Sequence, residues 1–169
     1  MKRVALFAAL GLLLTACAGG TPSAKFDPAE AEIIRRPGTG SISGQASLKM
    51  AGGEVRYAAG NQVLLVPATA YFHETIAQFG TSRCSAESFR LKNPDVRAVQ
   101  YIRSTRADGE GRFRFDRLAG GDYYVGTYVK LASVPTSGGS AAPQGCLLYE
   151  QVTVSDGQES KVILSEIRP

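Results

Sequence analysis

Apolar and polar residues alternate with a period of two along most of the chain beyond residue 40. In RFRF at 112–115, for example, both phenylalanines share one face and both arginines share the other. Such alternation over short runs is typical of half-buried antiparallel strands. Seven candidate strands follow this pattern: SISGQASL (41–48), QVLLVP (62–67), AVQYIRST (98–105), RFRF (112–115), DYYVGTYV (122–129), YEQVTV (149–154) and KVILSEI (161–167).

Short strands with glycine turns between them, and without alternating helices, favour a single all-β domain. We predict a seven-stranded immunoglobulin-like (prealbumin-like) Greek-key β-sandwich over residues 40–169. Two segments do not fit the strand pattern. Residues 69–95 are long for a hairpin connection, and we allow an extra strand at AYFHETIAQF and a short helix after Ser85. Residues 133–145 are rich in Gly, Ser and Pro, which predicts a loop.

The N-terminus has the pattern of a secretory signal peptide. Two cations, Lys2 and Arg3, precede an apolar run at 4–14, which leads into LTAC at 14–17. The apolar run is shorter than the ~20 residues that a transmembrane helix needs to cross the hydrocarbon core. We therefore predict a signal peptide over residues 1–16.

LTAC resembles the lipobox of bacterial lipoproteins, whose last residue is a lipidated cysteine. The resemblance implies lipidation of Cys17, and the Pro-containing, polar composition of 17–39 predicts a flexible tether behind it. Ala18 stands where an inner-membrane retention signal would have Asp, so we expect anchoring in the outer membrane, with the domain facing the periplasm. An ordinary signal peptide with an unmodified cysteine is the alternative.

Lipidation of Cys17 would leave Cys84 and Cys146 in an oxidising compartment, where we expect them to form a disulfide. Two buried free thiols remain possible if the lipoprotein interpretation is wrong. Removal of Lys2 and Arg3 leaves 17 of the 19 cations against 15 anions, a net charge of +2. This balance does not indicate a nucleic-acid partner.

The stretch from 108 to 125 has a turn with Asp-Gly, then Gly-x-Phe-x-Phe, Leu and Gly-x-Tyr-x-Val. This spacing resembles the carboxypeptidase regulatory-like domain of the transthyretin-like β-sandwich group. ISGQA, GNQVLLVP and YEQVTVSDGQESKVILSE match its other strands, so the resemblance covers about 40–67 and 97–165. It implies an accessory or binding module, because turn and core positions carry it and no catalytic site does.

The sequence offers little catalytic chemistry. His73 is the only histidine, and HETIA has Ala77 where the zinc signature His-Glu-x-x-His needs its second ligand. A hydrolase that uses His73 is the weakest hypothesis, and we interpret His73 as a surface strand residue. We expect no enzyme activity, metal or cofactor.

A basic segment and several tyrosines form the candidate binding face. Residues 83–117 hold nine cations and five acids, and guanidinium groups on one sheet face could bind phosphate or carboxylate. A solvated face that prevents strand aggregation is the simpler interpretation of these charges. The candidate residues are Arg103, Arg106, Arg112, Arg114, Arg117, Tyr124 and Tyr128, whereas Tyr123 is predicted to face the core.

The first functional hypothesis is a lipid-anchored envelope module that binds or braces another cell-envelope protein. The alternative is a module that binds glycan or peptidoglycan through the arginine-rich face or the exposed tyrosines. In both hypotheses the lipid anchor attaches the module to the membrane, and neither hypothesis involves catalysis.

Overall fold

The alternating segments form strands in the computed structural model, which describes residues 24–50, 52–79, 84, 94–135 and 141–167. The strands are β1 Gly40–Lys49, β2 Val55–Tyr57, β3 Gln62–Pro67, β4 Arg103–Arg106, β5 Arg112–Leu118, β6 Gly121–Pro135, β7 Ala141–Val154 and β8 Glu159–Ile167. The helices are α1 Pro28–Ala31, the 3₁₀ helix η1 Glu32–Arg35, α2 Ala70–Ala77 and the 3₁₀ helix η2 Val96–Tyr101.

The strands form two sheets. In sheet 1, β8 runs parallel to β1 along one edge, while β5 and β2 pair antiparallel with successive halves of the other edge. Sheet 2 has the order β4-β3-β6-β7, with every pair antiparallel. The predicted all-β sandwich is confirmed, with eight strands in the described residues instead of the seven predicted.

The core lies between the two sheets and consists of the side chains that alternation sends inward. Burying a large apolar side chain contributes roughly 1.5–3 kcal/mol, so this layer supplies most of the driving force for folding. Its largest fully buried members are Tyr123, Ile42, Leu48, Leu65, Leu118, Leu148 and Leu164.

Glycine is required where β5 begins. Gly111 has a φ of +75°, and a Cβ there would come 2.4 Å from the Ala46 carbonyl oxygen. The Asp108 carboxylate fixes the preceding turn by accepting hydrogen bonds from the backbone amides of Glu110 and Arg112, at 2.9 and 2.8 Å. The close approach of this turn to β1 therefore explains the glycine that opens the Gly-x-Phe-x-Phe pattern.

Two segments that the sequence analysis assigned to strands contain helices. The segment at 70–79 contains α2, because Thr69 caps the helix through the Phe72 amide and the buried residues Tyr71 and Thr75 lie four positions apart. The segment at 98–105 divides into η2 and the short strand β4. Asp95 starts η2 by accepting from the Arg97 amide at 2.9 Å. The helix expected after Ser85 lies outside the described residues.

The prediction of a loop over 133–145 is wrong at both ends of this segment, where the structure has strands. β6 continues to Pro135 and β7 begins at Ala141, with Pro135 opposite Ala141 in the register. An irregularity between Leu131 and Val134 accommodates the change in pairing. Gly, Ser and Pro are tolerated here because β7 is the edge strand of sheet 2, and an edge strand does not need every backbone N–H for pairing.

The predicted tether includes residues that belong to the folded domain. Phe26, Ala31 and Ile34 are buried in the core cluster, and Asp27 caps α1 by accepting from the Ala29 amide at 2.8 Å. For residues 24–39 the prediction of a flexible linker is therefore wrong, because their apolar side chains gain more by packing than the chain loses in freedom. Residues 17–23, which include the predicted lipidation site at Cys17, lie outside the described residues.

Cys84 and Cys146 form the disulfide expected from the cysteine count. Cys146 is fully buried on β7, so the bond joins sheet 2 to the connection between α2 and η2. No helix in the described part of the chain combines the length and apolar character needed to cross a membrane.

Replacing both Cys84 and Cys146 by Ala should lower the free energy of unfolding. With a sequence separation of 62, the loss of loop closure costs ~4 kcal/mol in the chain-entropy model. Urea unfolding of the two proteins, with and without reductant, measures this difference. Equal stability of the oxidised and substituted proteins would contradict the prediction.

Phe26→Ala should lower the free energy of unfolding by about 3 kcal/mol, because it empties an aromatic position in the core. The neighbouring exposed Lys25→Ala should change it by less than about 0.5 kcal/mol. Thermal or urea unfolding provides both values. A Phe26→Ala protein as stable as Lys25→Ala would mean that this segment is a free tether after all.

Candidate functional site

The predicted binding face does not exist as one surface. Arg112 and Arg114 lie on β5 in sheet 1, whereas Arg106, Tyr124 and Tyr128 lie on the outer face of sheet 2. Two candidates remain. Arg103 donates to the Asp116 carbonyl oxygen at 2.8 Å, and Arg117 has a φ of +56° at the end of β5.

The arginines of sheet 1 are paired with carboxylates. Arg114 donates from Nε to Asp116 at 2.7 Å and also pairs with Glu159. These contacts raise the pKa of Arg114, while hydrogen bonds from Ser43 and Arg114 lower the pKa of the Glu159 carboxyl. Arg112 pairs with Glu110 at 2.8 Å. This face is therefore a network of exposed ion pairs with little unbalanced positive charge for a ligand.

The outer face of sheet 2 contains a cleft of about 610 Å³. Its floor is formed by outward residues of β3, β6 and β7, and one wall is formed by α2 and the residues that follow it. The aromatic lining residues are Phe72, Phe79, Tyr124, Tyr128 and Tyr149. Polar groups from Asn61, Gln62, Arg106 and Lys130 also line it.

The register orders the floor into rows across the sheet. In the register, Arg106 on β4 lies opposite Gln62 on β3. Gln62 in turn lies opposite Tyr128 on β6, because it is one residue beyond the Val63–Thr127 pair. The next outward row contains Leu64, Gly126 and Tyr149. Since Gly126 has no side chain, the middle row leaves open space between the tyrosines of the two flanking rows.

The helix α2 is fixed to this face through Tyr124, which lies in the next outward row after that of Gly126. The Nδ1 atom of His73 lies 2.6 Å from the phenol oxygen of Tyr124, and their ring centroids are 6.2 Å apart. His73 is thus a surface residue, as predicted, but on a helix instead of a strand. Its contact gives it a structural role in holding the wall of the cleft.

Burial raises the pKa of both Tyr124 and Tyr128 above the ordinary value for a phenol. Both hydroxyl groups are therefore protonated at neutral pH and can donate hydrogen bonds. Tyr124 is 7% exposed and Tyr128 is half-buried, so their rings lie against the protein while their polar ends face the cleft or its wall. This arrangement suits a ligand that has both apolar faces and hydroxyl groups.

The sequence analysis missed Tyr149 and the wall contributed by Ile76 and Phe79. Tyr149 could have been found, because Leu147 and Tyr149 alternate with the buried residues Cys146 and Leu148 along β7. The wall could not be found from the strand predicted at 70–79, since a strand would have placed these side chains on alternate faces. Within the described residues, no group of three or more His, Cys, Asp or Glu could hold a metal ion.

The hydrogen bond between His73 and Tyr124 should contribute about 1 kcal/mol to the free energy of unfolding. A double-mutant cycle with His73→Ala and Tyr124→Phe measures this coupling by urea unfolding. Additive effects of the two substitutions would show that the contact does not hold α2 on the sheet.

This chain is similar to proteins of known structure. No family model and no curated protein sequence matches this chain. Its structure is similar to the crystal structure of a candidate carbohydrate-binding protein from Pseudomonas aeruginosa, with a TM-score of 0.70 and 29% identity, over 85% of this chain and 99% of that one. A minor pilin from Streptococcus agalactiae matches with a TM-score of 0.38 and 16% identity, over 79% of this chain and 46% of the pilin.

Proposed function

We propose that this protein is a carbohydrate-binding module whose site is the cleft on the outer face of sheet 2. The observation that carries the proposal is the cleft between Tyr124 and Tyr128, whose rows lie on either side of Gly126, enclosed on one side by α2. The C–H faces of a sugar ring stack against aromatic rings, and its hydroxyls bond to the polar groups beside them.

The cleft has the size and composition of a ligand site. Its volume of about 610 Å³ falls within the range of roughly 300–1,000 Å³ of small-molecule pockets. Apolar side chains such as Leu64 and Ile76 form most of the lining, and a few polar groups lie at one end. Such a site binds by stacking and burial, and its polar groups select the orientation of the ligand.

The similarity to the Pseudomonas aeruginosa protein supports this proposal. The alignment spans 99% of that chain at 29% identity, so it includes the whole sandwich and not one hairpin. Carbohydrate binding, the alternative in the sequence analysis, now becomes the first hypothesis because the tyrosines lie in a cleft. Binding or bracing another envelope protein requires no such cleft.

We further propose that the module acts without catalysis at the cell envelope, held in the outer membrane through Cys17. The support is the LTAC motif with its preceding cationic and apolar segments. A module of this kind would hold glycan or peptidoglycan close to the membrane. The resemblance to the carboxypeptidase regulatory-like group is compatible with such an accessory role.

Tyr149→Ala and Leu64→Trp should each weaken saccharide binding at least tenfold, or about 1.4 kcal/mol, because one removes a stacking ring and the other fills the cleft. Binding of the full-length protein to a panel of oligosaccharides and peptidoglycan fragments, followed by calorimetry with the best ligand, measures the effect. Tyr57→Ala on β2 of sheet 1 is the matched control, since Tyr57 is 44% exposed and lies outside the cleft. Unchanged affinity in both cleft variants would contradict the assignment of the site.

A further inference from the structure

We propose that the saccharide bound in this cleft is acidic, carrying a carboxylate or sulfate group on its ring; this inference depends on the proposed function. Two cations, Arg106 and Lys130, line the cleft. None of the described residues that line it is Asp or Glu. The charged groups among the described lining residues are therefore both cationic.

Arg106 differs from the arginines of sheet 1 in its surroundings. Its Nη1 atom donates to the Gly60 carbonyl oxygen at 2.7 Å, which fixes the side chain along the edge of the sheet. Among the described residues it has no carboxylate within 4.0 Å, whereas Arg112 and Arg114 each have at least one. The remaining N–H groups of its guanidinium can donate to an anion in the cleft, and the Gly60 contact already provides part of the ordering of the side chain.

Lys130 lies beyond the Tyr128 row, on the side away from Gly126. It is exposed on β6, two residues beyond Tyr128 and so about 7 Å along the strand. Arg106 lies two strands away from Tyr128, or about 10 Å across the sheet. In the described part of the chain Lys130, like Arg106, has no ion-pair partner.

The Tyr128 ring lies against Gly145, which is opposite Lys130 in the register, and Arg106 lies in the same row across the sheet as Tyr128. A sugar stacked on Tyr128 would direct substituents from its ring edge toward Arg106 or Lys130. A charged oxyanion gains charge-assisted hydrogen bonds there, while a neutral hydroxyl gains only ordinary ones. The cations are exposed to solvent, so the preference for acidic ligands should weaken as salt is raised.

The test compares matched oligosaccharides of equal length, one neutral, one composed of uronic acids and one sulfated. Calorimetry with the full-length protein at low salt should show at least about tenfold tighter binding of one or both acidic ligands than of the neutral one. Binding of the uronate alone, the sulfated ligand alone or both supports the proposal and identifies the anion.

The double variant Arg106→Gln with Lys130→Gln should abolish this preference, so that the acidic and neutral ligands bind with affinities within about twofold of each other. Arg112→Gln with Lys161→Gln is the matched control, because it removes the same charge from the outer face of sheet 1. The control should retain the preference.

Three outcomes would overturn the inference. Equal affinity for neutral and acidic ligands would leave the proposed function standing and remove the acidic preference. An equal loss in the cleft variant and the control would mean that net charge, and not the cleft, selects the ligand. Failure of every saccharide to bind would remove the proposed function together with the inference.

Discussion

The structure depends on the two faces of β6, the central strand that pairs with both β3 and β7 in sheet 2. Its inward residues, including the fully buried Tyr123 and Val125, form the core against sheet 1. Its outward residues, Tyr124, Gly126 and Tyr128, form the floor of the cleft. A shift of one residue in register would exchange these sets, so the same pairing that stabilises the fold also presents the site.

The N-terminal segment extends this dependence to the wall of the cleft. The ring of Phe26 lies 5.3 Å from that of Tyr71 and 6.1 Å from that of Phe72, both on α2. The Ala24 amide also donates to the Glu74 carboxylate at 2.9 Å. Together with the His73–Tyr124 contact, these interactions hold α2 from two sides. Residues that composition assigned to a tether therefore help to shape the candidate binding site.

Alternation predicted the sandwich and much of its strand content, because period-two patterns reflect burial directly. The pattern identified β5 and β6, and it placed Tyr124 and Tyr128 on one face. It failed for α2, where adjacent Tyr71 and Phe72 are both buried by tertiary packing. It also could not assign the arginines to sheets, since their separation depends on the chain passing from sheet 2 to sheet 1 between β4 and β5.

Local contacts also decide which charged residues are available. The acids nearest to Arg112 and Arg114 lie two residues away along the chain, so sequence alone suggests pairing there. The four residues of β4 contain no acid, and the pairing of this strand with β3 brings Arg106 to the cleft. The net charge of a segment therefore did not predict which arginines form ion pairs. The positions of the acids along each strand did predict it.

The most direct measurement follows the backbone amide chemical shifts of the full-length protein by NMR. A saccharide that binds the protein is added in increasing amounts, and the shift changes are mapped onto the sequence. The account predicts that the largest changes occur at Gly126, Tyr128 and Tyr149, with small changes at Gly44 and Arg112 in sheet 1. Changes concentrated on sheet 1, with the cleft residues unaffected, would contradict the claim that the outer face of sheet 2 is the binding site.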